Sequence, residues 1–371
     1  MSNESVPVLL YHHINYEDDV LSISPELFEK QLQFLKEEGY TTITAQQLGE
    51  FMTTGKKDWD KAVMITIDDG YLDTWVYAYP LLKKYGFKAT VFIVTWIVEE
   101  DEYLGFNLDD YYEGKISKDM IPKCNSNFVI ENGVKKKLER RLCWREIRAM
   151  DATETIDIEP HAKFHRKVYS SDKITDFNHP KDKLSAWSDI LGDERLGTPN
   201  FDRKPAFSHK QFTADQELRD RLAKYVIDNG YLNFFKDKNW KDRLMSIVED
   251  YKKEKNTDII GKWESDEEHI RRIKSALDVA RGEIRYETNK NPESFSWPWG
   301  SYTDLSLKLA KEAGFKYIFT TKPGSNSYGD PIDEIKRFGV WKKDLDWFKS
   351  RVRLYSNKII SKAYGALYRK I

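Results

Sequence analysis

Cysteine is nearly absent from this chain: Cys124 and Cys143 are the only two among 371 residues. Two thiols cannot build the multi-bridge framework that staples small secreted domains, so free thiols in a reducing compartment are expected. Net charge is missing as well. Sixty basic residues stand against 61 acidic ones, leaving −1 and no basic footprint for nucleic acid. No apolar run reaches the ~18–20 residues of a transmembrane helix. The opening MSNESVPVLLYHHI lacks the basic and apolar segments of a secretory signal, so a cytoplasmic location is expected. Internal repeats and low-complexity tracts are not seen. What is abundant is aromatic surface: 11 Trp, 21 Tyr and 19 Phe can bury a large core, which excludes a disordered chain. The length suits two domains, or one α/β barrel carrying insertions.

The apolar pattern favours the barrel. Val6–Tyr11 reads as a buried strand. A helix follows, with Ser24 as N-cap, Pro25 in its first turn, Leu27, Phe28, Leu32 and Leu35 at helical spacing, and Gly39 as its stop. Ala62–Ile67 is a second strand running into Asp68-Asp69-Gly70. A helix around Leu81, Leu82 and Tyr85 closes at Gly86 and leads to a third strand, Ala89–Thr95. Strand and helix alternating at this interval mean βαβ units and a parallel sheet. The rhythm stops near Glu99 and resumes at Ser294–Trp297, with Asp304–Ala313 as helix and Phe315–Thr321 as strand. One interrupted core with insertions at about 100–143 and 166–290 accounts for this.

Three stretches stand where α/β folds place their sites, at strand ends. In Asp68-Asp69-Gly70, neighbouring carboxylates repel, which raises one pKa unless a cation intervenes; a Gly-assisted turn could aim both at one cavity, and a plain turn has the same sequence. His161 and His165, after Ile156-Asp157-Ile158-Glu159-Pro160, share a helical face or meet across a tight turn, a spacing that suits a divalent metal. Two surface or core histidines would look alike. In Phe295-Ser296-Trp297-Pro298-Trp299-Gly300-Ser301-Tyr302, Pro and Gly stiffen an aromatic loop that suits sugar stacking or core packing.

Taken in chain order, Val-Pro-Val-Leu-Leu-Tyr-His, Thr66-Ile67-Asp68-Asp69-Gly70-Tyr71, His161-xxx-His165 and Trp297-Pro298-Trp299-Gly300 resemble the polysaccharide deacetylase family (carbohydrate esterase family four, the NodB-homology domain). The likeness is greatest to its poly-N-acetylglucosamine deacetylase-like branch, over roughly residues 6–98, 144–165 and 294–340. The resemblance implies a distorted (β/α) barrel of parallel strands with two long, largely helical insertions. It implies one divalent ion, zinc by ligand chemistry with cobalt or nickel able to replace it, held by Asp69, His161 and His165. Asp68 takes the place of the general base, and the Trp299 backbone N–H that of an oxyanion donor, with Pro298 and Tyr302 beside it at the substrate.

Two positions depart from the family's pattern. The residue before Pro298 is Trp297, where many members carry an arginine that tethers the base; Arg337 matches a later arginine of the branch and is the candidate replacement. The late Leu-His element that carries the general acid is absent, since residues 331–345 hold no histidine. His12, or its neighbour His13, at the end of the first strand is the candidate acid, and His12 is preferred. The insertions are expected to form a helical cap beside the cleft. Residues 349–371 hold seven Lys/Arg and no acid, interleaved with Leu354, Ile359, Ile360, Tyr364, Leu367 and Tyr368. The segment 346–371 thus reads as a basic amphipathic tail, for an anionic membrane or for docking on the barrel.

The expected function is a metal-dependent hydrolase that removes acetyl from an N-acetylated sugar, in a glycan or a glycan-biosynthesis intermediate. Two rivals are a same-fold C–N hydrolase acting on a small non-sugar amide and a catalytically silent glycan-binding protein. Nothing in the sequence sets the oligomeric state.

Overall fold

The computed structural model describes residues 4–100, 103–131, 134–180, 182–183 and 195–368. Val8–Tyr11 (β1) is followed by a helix, Pro25–Glu37 (α1), capped by the Ser24 hydroxyl accepting from the Leu27 N–H and stopped at Gly39. Ala62–Asp69 (β2) leads through a π-helical turn, Thr74–Ala78, into Tyr79–Tyr85 (α2). Ala89–Ile93 (β3) and Ile156–Pro160 (β4) continue the sheet. Lys167–Phe177 (β5) and Pro199–Pro205 (β6) form an antiparallel ribbon. Helices Gln216–Asp228 (α3), Trp240–Lys255 (α4) and Asp266–Thr288 (α5) come next. Ser294–Ser296 (β7), Asp304–Glu312 (α6), Tyr317–Phe319 (β8), Phe338–Gly339 (β9), Leu345–Tyr355 (α7) and Lys358–Tyr368 (α8) complete the chain.

Five strands pair in parallel in the order β9–β1–β2–β3–β4, and β7 pairs in parallel with β8. Side chains close the seam between β4 and β7: the Glu159 carboxylate accepts the Ser294 N–H at 3.0 Å and the His161 ring meets the Ser296 carbonyl at 2.8 Å. On the far side Phe319 bridges Ile335, just before β9. The result is a distorted barrel.

Side-chain parity decides what each face of the barrel carries, because successive residues of a strand point to opposite sides. Leu9 and Tyr11, Val63, Ile65 and Ile67, Val91 and Ile93, and Ile156 and Ile158 pack outward with Phe28, Leu32 and Leu35 of α1 in the main core. The alternate residues Val8, Met64 and Phe92 pack with Phe319 in a second cluster inside the barrel. Thr66, Asp68, Ser296 and Arg337 also share the inner parity. All are buried, and they bond to one another across the interior.

The insertions add strand to the helix expected of them. Among the described residues the first contains a short helix, Leu108–Tyr112, and an antiparallel pair, Asn127–Glu131 with Val134–Leu138. The second opens with the β5–β6 ribbon, which packs its own core from Phe177, Phe201, Leu218, Leu222, Leu244 and Val248. The ribbon escaped the sequence pattern because β5 alternates irregularly and its register shifts at two places. Helix α5, counted with the second insertion from sequence, belongs to the barrel. Its stripe of His269, Ile273, Leu277, Ala280 and Ile284 is buried, and Ile273 and Leu277 pack against Phe295 and Trp297.

The C-terminal segment is not one free amphipathic tail. Phe348, Val352 and Tyr355 of α7 are buried in the main core with Leu354 packed beside them, so this half docks on the barrel. In α8, Ile359 and Ile360 are exposed and Tyr364 meets Tyr355 edge-on. The side chains of Leu367 and Tyr368 lie outside the described residues.

Candidate metal centre

Asp68 continues the inward parity of β2. Asp69 should by the same rule point outward, and its backbone prevents that. With φ of 82°, followed by Gly70 at 85°, the chain leaves the strand geometry at Asp69 itself. Such a conformation is costly for a residue with a side chain and persists where surrounding structure enforces it. Its effect is that both carboxylates approach one imidazole: His161 Nε2 lies 3.5 Å from Asp69 Oδ1 and 3.8 Å from Asp68 Oδ2. His165 Nε2 lies 3.8 Å from the same Asp69 oxygen. The two histidines meet through a tight turn after β4, with Ala162 at φ 69°, not along a helix.

Asp69, His161 and His165 are all buried and offer one ligand atom each within 4.8 Å of one another. His161 Nδ1 at the Ser296 carbonyl leaves Nε2 with its lone pair toward Asp69. Burial pushes the His165 imidazole down to about 4 against the pull of Asp69, so it is neutral and able to ligate. Burial by itself would raise the Asp69 carboxyl; His165, His12, His161 and Arg141 outweigh it and hold the group well below the usual carboxylate range. Asp69 Oδ1 is buried with no hydrogen-bond partner among the described residues, a costly state for a carboxylate oxygen unless a cation completes it. An anionic oxygen and two imidazole nitrogens spaced as ligands of ~2.1 Å bonds are spaced fit a divalent ion with open positions.

Asp68 is wired differently. Arg337, fully buried, grips it with two parallel bonds of 2.8 and 2.9 Å, donates from Nη2 to Ser296 Oγ at 2.7 Å and from Nε to the Thr320 carbonyl at 2.9 Å. Burial opposes ionisation of Asp68, but Arg337 prevails and its pKa is lowered. Asp68 thus has a cationic partner of its own, while Asp69 faces the two imidazoles.

The remaining candidates separate by parity too. His12 continues the inner face of β1. Its ring rests 5.5 Å from Trp341, its Nδ1 is buried with no partner among the described residues, and its charge couples to both Asp69 and Asp68; burial lowers its pKa against those two carboxylates. His13 points outward, bonded through Nδ1 to Asp73 at 2.7 Å and stacked 3.6 Å from the Tyr71 ring. His13 is therefore bound up in structure. Trp299 has φ of 60° and is 40% exposed at the rim, its ring 4.6 Å from His165 and 3.8 Å from the Lys167 ammonium. Pro298 is buried behind it. Tyr302 stacks on the buried Trp297 and donates to Glu334 at 2.7 Å, so its hydroxyl proton is committed to the loop's packing.

Thr66, Tyr71 and Ser296 stand in the sequence motifs without a role assigned to them, and Arg141 lies outside those motifs. Ser296 could have been found from its inward parity next to Phe295; Arg141 carried no local signal.

Comparison with known proteins agrees with this geometry. The polysaccharide deacetylase family model matches residues 55–189, which include all three ligand candidates and Asp68. The match spans 135 of the chain's 371 residues, and over that stretch the chain resembles the polysaccharide deacetylase family. The polysaccharide deacetylase-type protein YxkH of Bacillus subtilis (strain 168) is 42% identical over 89 residues, 24% of this chain and 32% of that protein. The poly-beta-1,6-N-acetyl-D-glucosamine N-deacetylase of Staphylococcus aureus (strain MRSA252) is 28% identical over 156 residues, 42% of this chain and 52% of that enzyme. The chain thus spans about a third to a half of the length of these relatives. Among solved structures, the BpsB deacetylase domain of Bordetella bronchiseptica aligns with a TM-score of 0.54 at 18% identity, covering 91% of this chain and 97% of the domain. A de-N-acetylase from Aggregatibacter actinomycetemcomitans aligns with a TM-score of 0.53 at 18% identity, covering 90% and 94%. At this identity the structural likenesses show the fold, over nearly the whole chain.

Proposed function

We propose that this protein is a member of the polysaccharide deacetylase family and a metal-dependent carbohydrate N-deacetylase, releasing acetate from an N-acetylated sugar in a glycan or glycan-biosynthesis intermediate. The observation that carries the reading is Asp69 Oδ1, buried without a hydrogen-bond partner among the described residues and facing two imidazole Nε2 atoms, beside a second carboxylate with its own arginine.

When bound, a divalent ion, zinc by the donor set, would polarise the acetamide carbonyl and acidify a water. Asp69, His161 and His165 would hold it. Asp68, kept ionised and oriented by Arg337, Ser296 and the barrel wall, receives the proton of the attacking water. The Trp299 backbone N–H, set by the rigid Pro298 loop, donates to the oxygen that becomes negative, an interaction worth about 3 kcal/mol in comparable sites. His12 delivers a proton to the departing amine. Each carboxylate has one task because each has a different partner.

Two narrower parts belong to the same proposal. The exposed face of α8, with Ile359 and Ile360 beside Lys358 and Lys362, contacts an anionic membrane surface. The protein acts inside the cell, which fractionation would check.

Elemental analysis of the wild type and of the His161→Ala/His165→Ala double variant tests the central reading. About one divalent ion per wild-type chain, lost in the double variant, together with acetate release from an N-acetylglucosamine oligomer, is the expected result. A folded wild type that neither carries nor takes up metal would overturn it in favour of a binding protein.

A further inference from the structure

The strained turn at Asp69 requires something to hold it, and the first insertion supplies it. Where that insertion returns to the barrel, Leu142 donates its N–H to the Gly70 carbonyl at 3.2 Å and Leu72 donates to the Arg140 carbonyl at 3.1 Å, with Tyr71 and Arg141 bridged between them. Residues 140–142 therefore run as a short strap along the turn that carries both carboxylates.

Side chains continue the contact. Tyr71 is buried, and its hydroxyl is a hydrogen-bond neighbour of the Asp69 carboxylate. The Arg141 guanidinium, itself buried, lies 4.5 Å from the centre of the Tyr71 ring, and the His13 ring lies 3.6 Å from it. His13 cannot drift, because its Nδ1 bonds Asp73 at 2.7 Å and Asn15 bonds the same Asp73 oxygen at 2.9 Å. A phenol packed by a cation and a fixed imidazole has little rotational freedom. Its hydroxyl neighbours the Asp69 carboxylate, whose Oδ1 faces His161 and His165 and has no hydrogen-bond partner among the described residues. Groups that orient a ligand in this way change metal affinity by ten- to a hundredfold in comparable sites.

We infer that Arg141 and His13 are positioning residues that clamp the Tyr71 ring, so that the Tyr71 hydroxyl and the 140–142 strap hold Asp69 in the orientation a metal ion requires. The first insertion thereby acts as a clasp on the metal centre. This rests on the metal-dependent reading above.

Cobalt(II) titration of the metal-stripped full chain, following affinity and the visible absorption band, tests it on Tyr71→Phe, Arg141→Gln and Arg141→Lys. Tyr71→Phe keeps the packed ring and removes only the hydroxyl. It and Arg141→Gln are expected to weaken cobalt binding at least tenfold and to alter the band. Arg141→Lys, which retains a cation over the ring, should recover part of the affinity. Variants that melt lower yet bind cobalt with wild-type affinity and spectrum would show ordinary packing and overturn the inference. Should Arg141→Gln fail to fold, Tyr71→Phe decides alone. A wild type that binds no cobalt would instead remove the metal-dependent reading itself, which separates the two failures.

Discussion

Replacing Arg337 with Met should expose how much of the barrel interior depends on one charge pair. Arg337 is fully buried and its five N–H groups all have acceptors: Asp68 twice, Thr66, Ser296 and the Thr320 carbonyl. Met fills similar space but leaves Asp68 as a buried carboxylate without its counter-charge. Breaking a buried pair from one side costs about 3–5 kcal/mol at neutral pH. The sign with pH follows from burial. In the wild type the Asp68 pKa is lowered, so its stabilising contribution is present above the unfolded value of ~3.9 and is lost as pH falls through the lower folded value. In the variant burial acts unopposed by Arg337 and raises that pKa, so the penalty is largest at pH 7 and relaxes as Asp68 takes up a proton. Urea unfolding of the metal-stripped proteins at pH 7 and pH 5 measures this. The loss in Arg337→Met should shrink at pH 5, and Asp68→Asn/Arg337→Met should lose less than the two single variants together. The acidic limb of kcat/KM should also move to higher pH, because the proposed base then holds its proton longer. A loss under ~1 kcal/mol at pH 7, or one that grows on acidification, refutes the reasoning.

His12→Ala is expected to lower kcat by about a hundredfold with metal content and melting unchanged, while His13→Ala lowers melting temperature by removing the Asp73 pair; wild-type turnover in His12→Ala ends its role as the acid. Gly300→Ala should disrupt the aromatic loop, since φ is 64° and a Cβ would lie 2.0 Å from Thr321 Oγ1; a cost of about 1–3 kcal/mol or more is expected, and an unchanged thermal midpoint would show that the loop yields easily. Deleting residues 357–371 leaves the packed α7 intact and should abolish sedimentation with anionic vesicles at low salt. Unaltered sedimentation removes the membrane proposal.

The strand–helix rhythm, the Asp68-Asp69-Gly70 turn and the His161–His165 spacing were legible because each is a local pattern: apolar alternation, a glycine after two acids, two rings four residues apart. The same alternation separates His12 from His13 once the barrel's inner face is known, but sequence does not say which parity is inner. Charged helices in residues 216–280 hid two facts. The β5–β6 ribbon has an irregular alternation, and α5 sends its buried stripe to the barrel although its composition resembles the insertion's other helices. The basic tail likewise divided only when α7 was seen to bury Phe348, Val352 and Tyr355. By itself, the sequence determined the parallel α/β core and which residue types could ligate a metal, because both depend on neighbours within a few positions. Tertiary structure decided that Arg337, a candidate only through the resemblance, pairs with Asp68 across 269 residues, that Arg141 returns to the Asp69 turn, that His13 stacks on Tyr71, and that Tyr302 packs within its own loop. Those outcomes depend on which strands lie side by side, and chain order does not encode that locally.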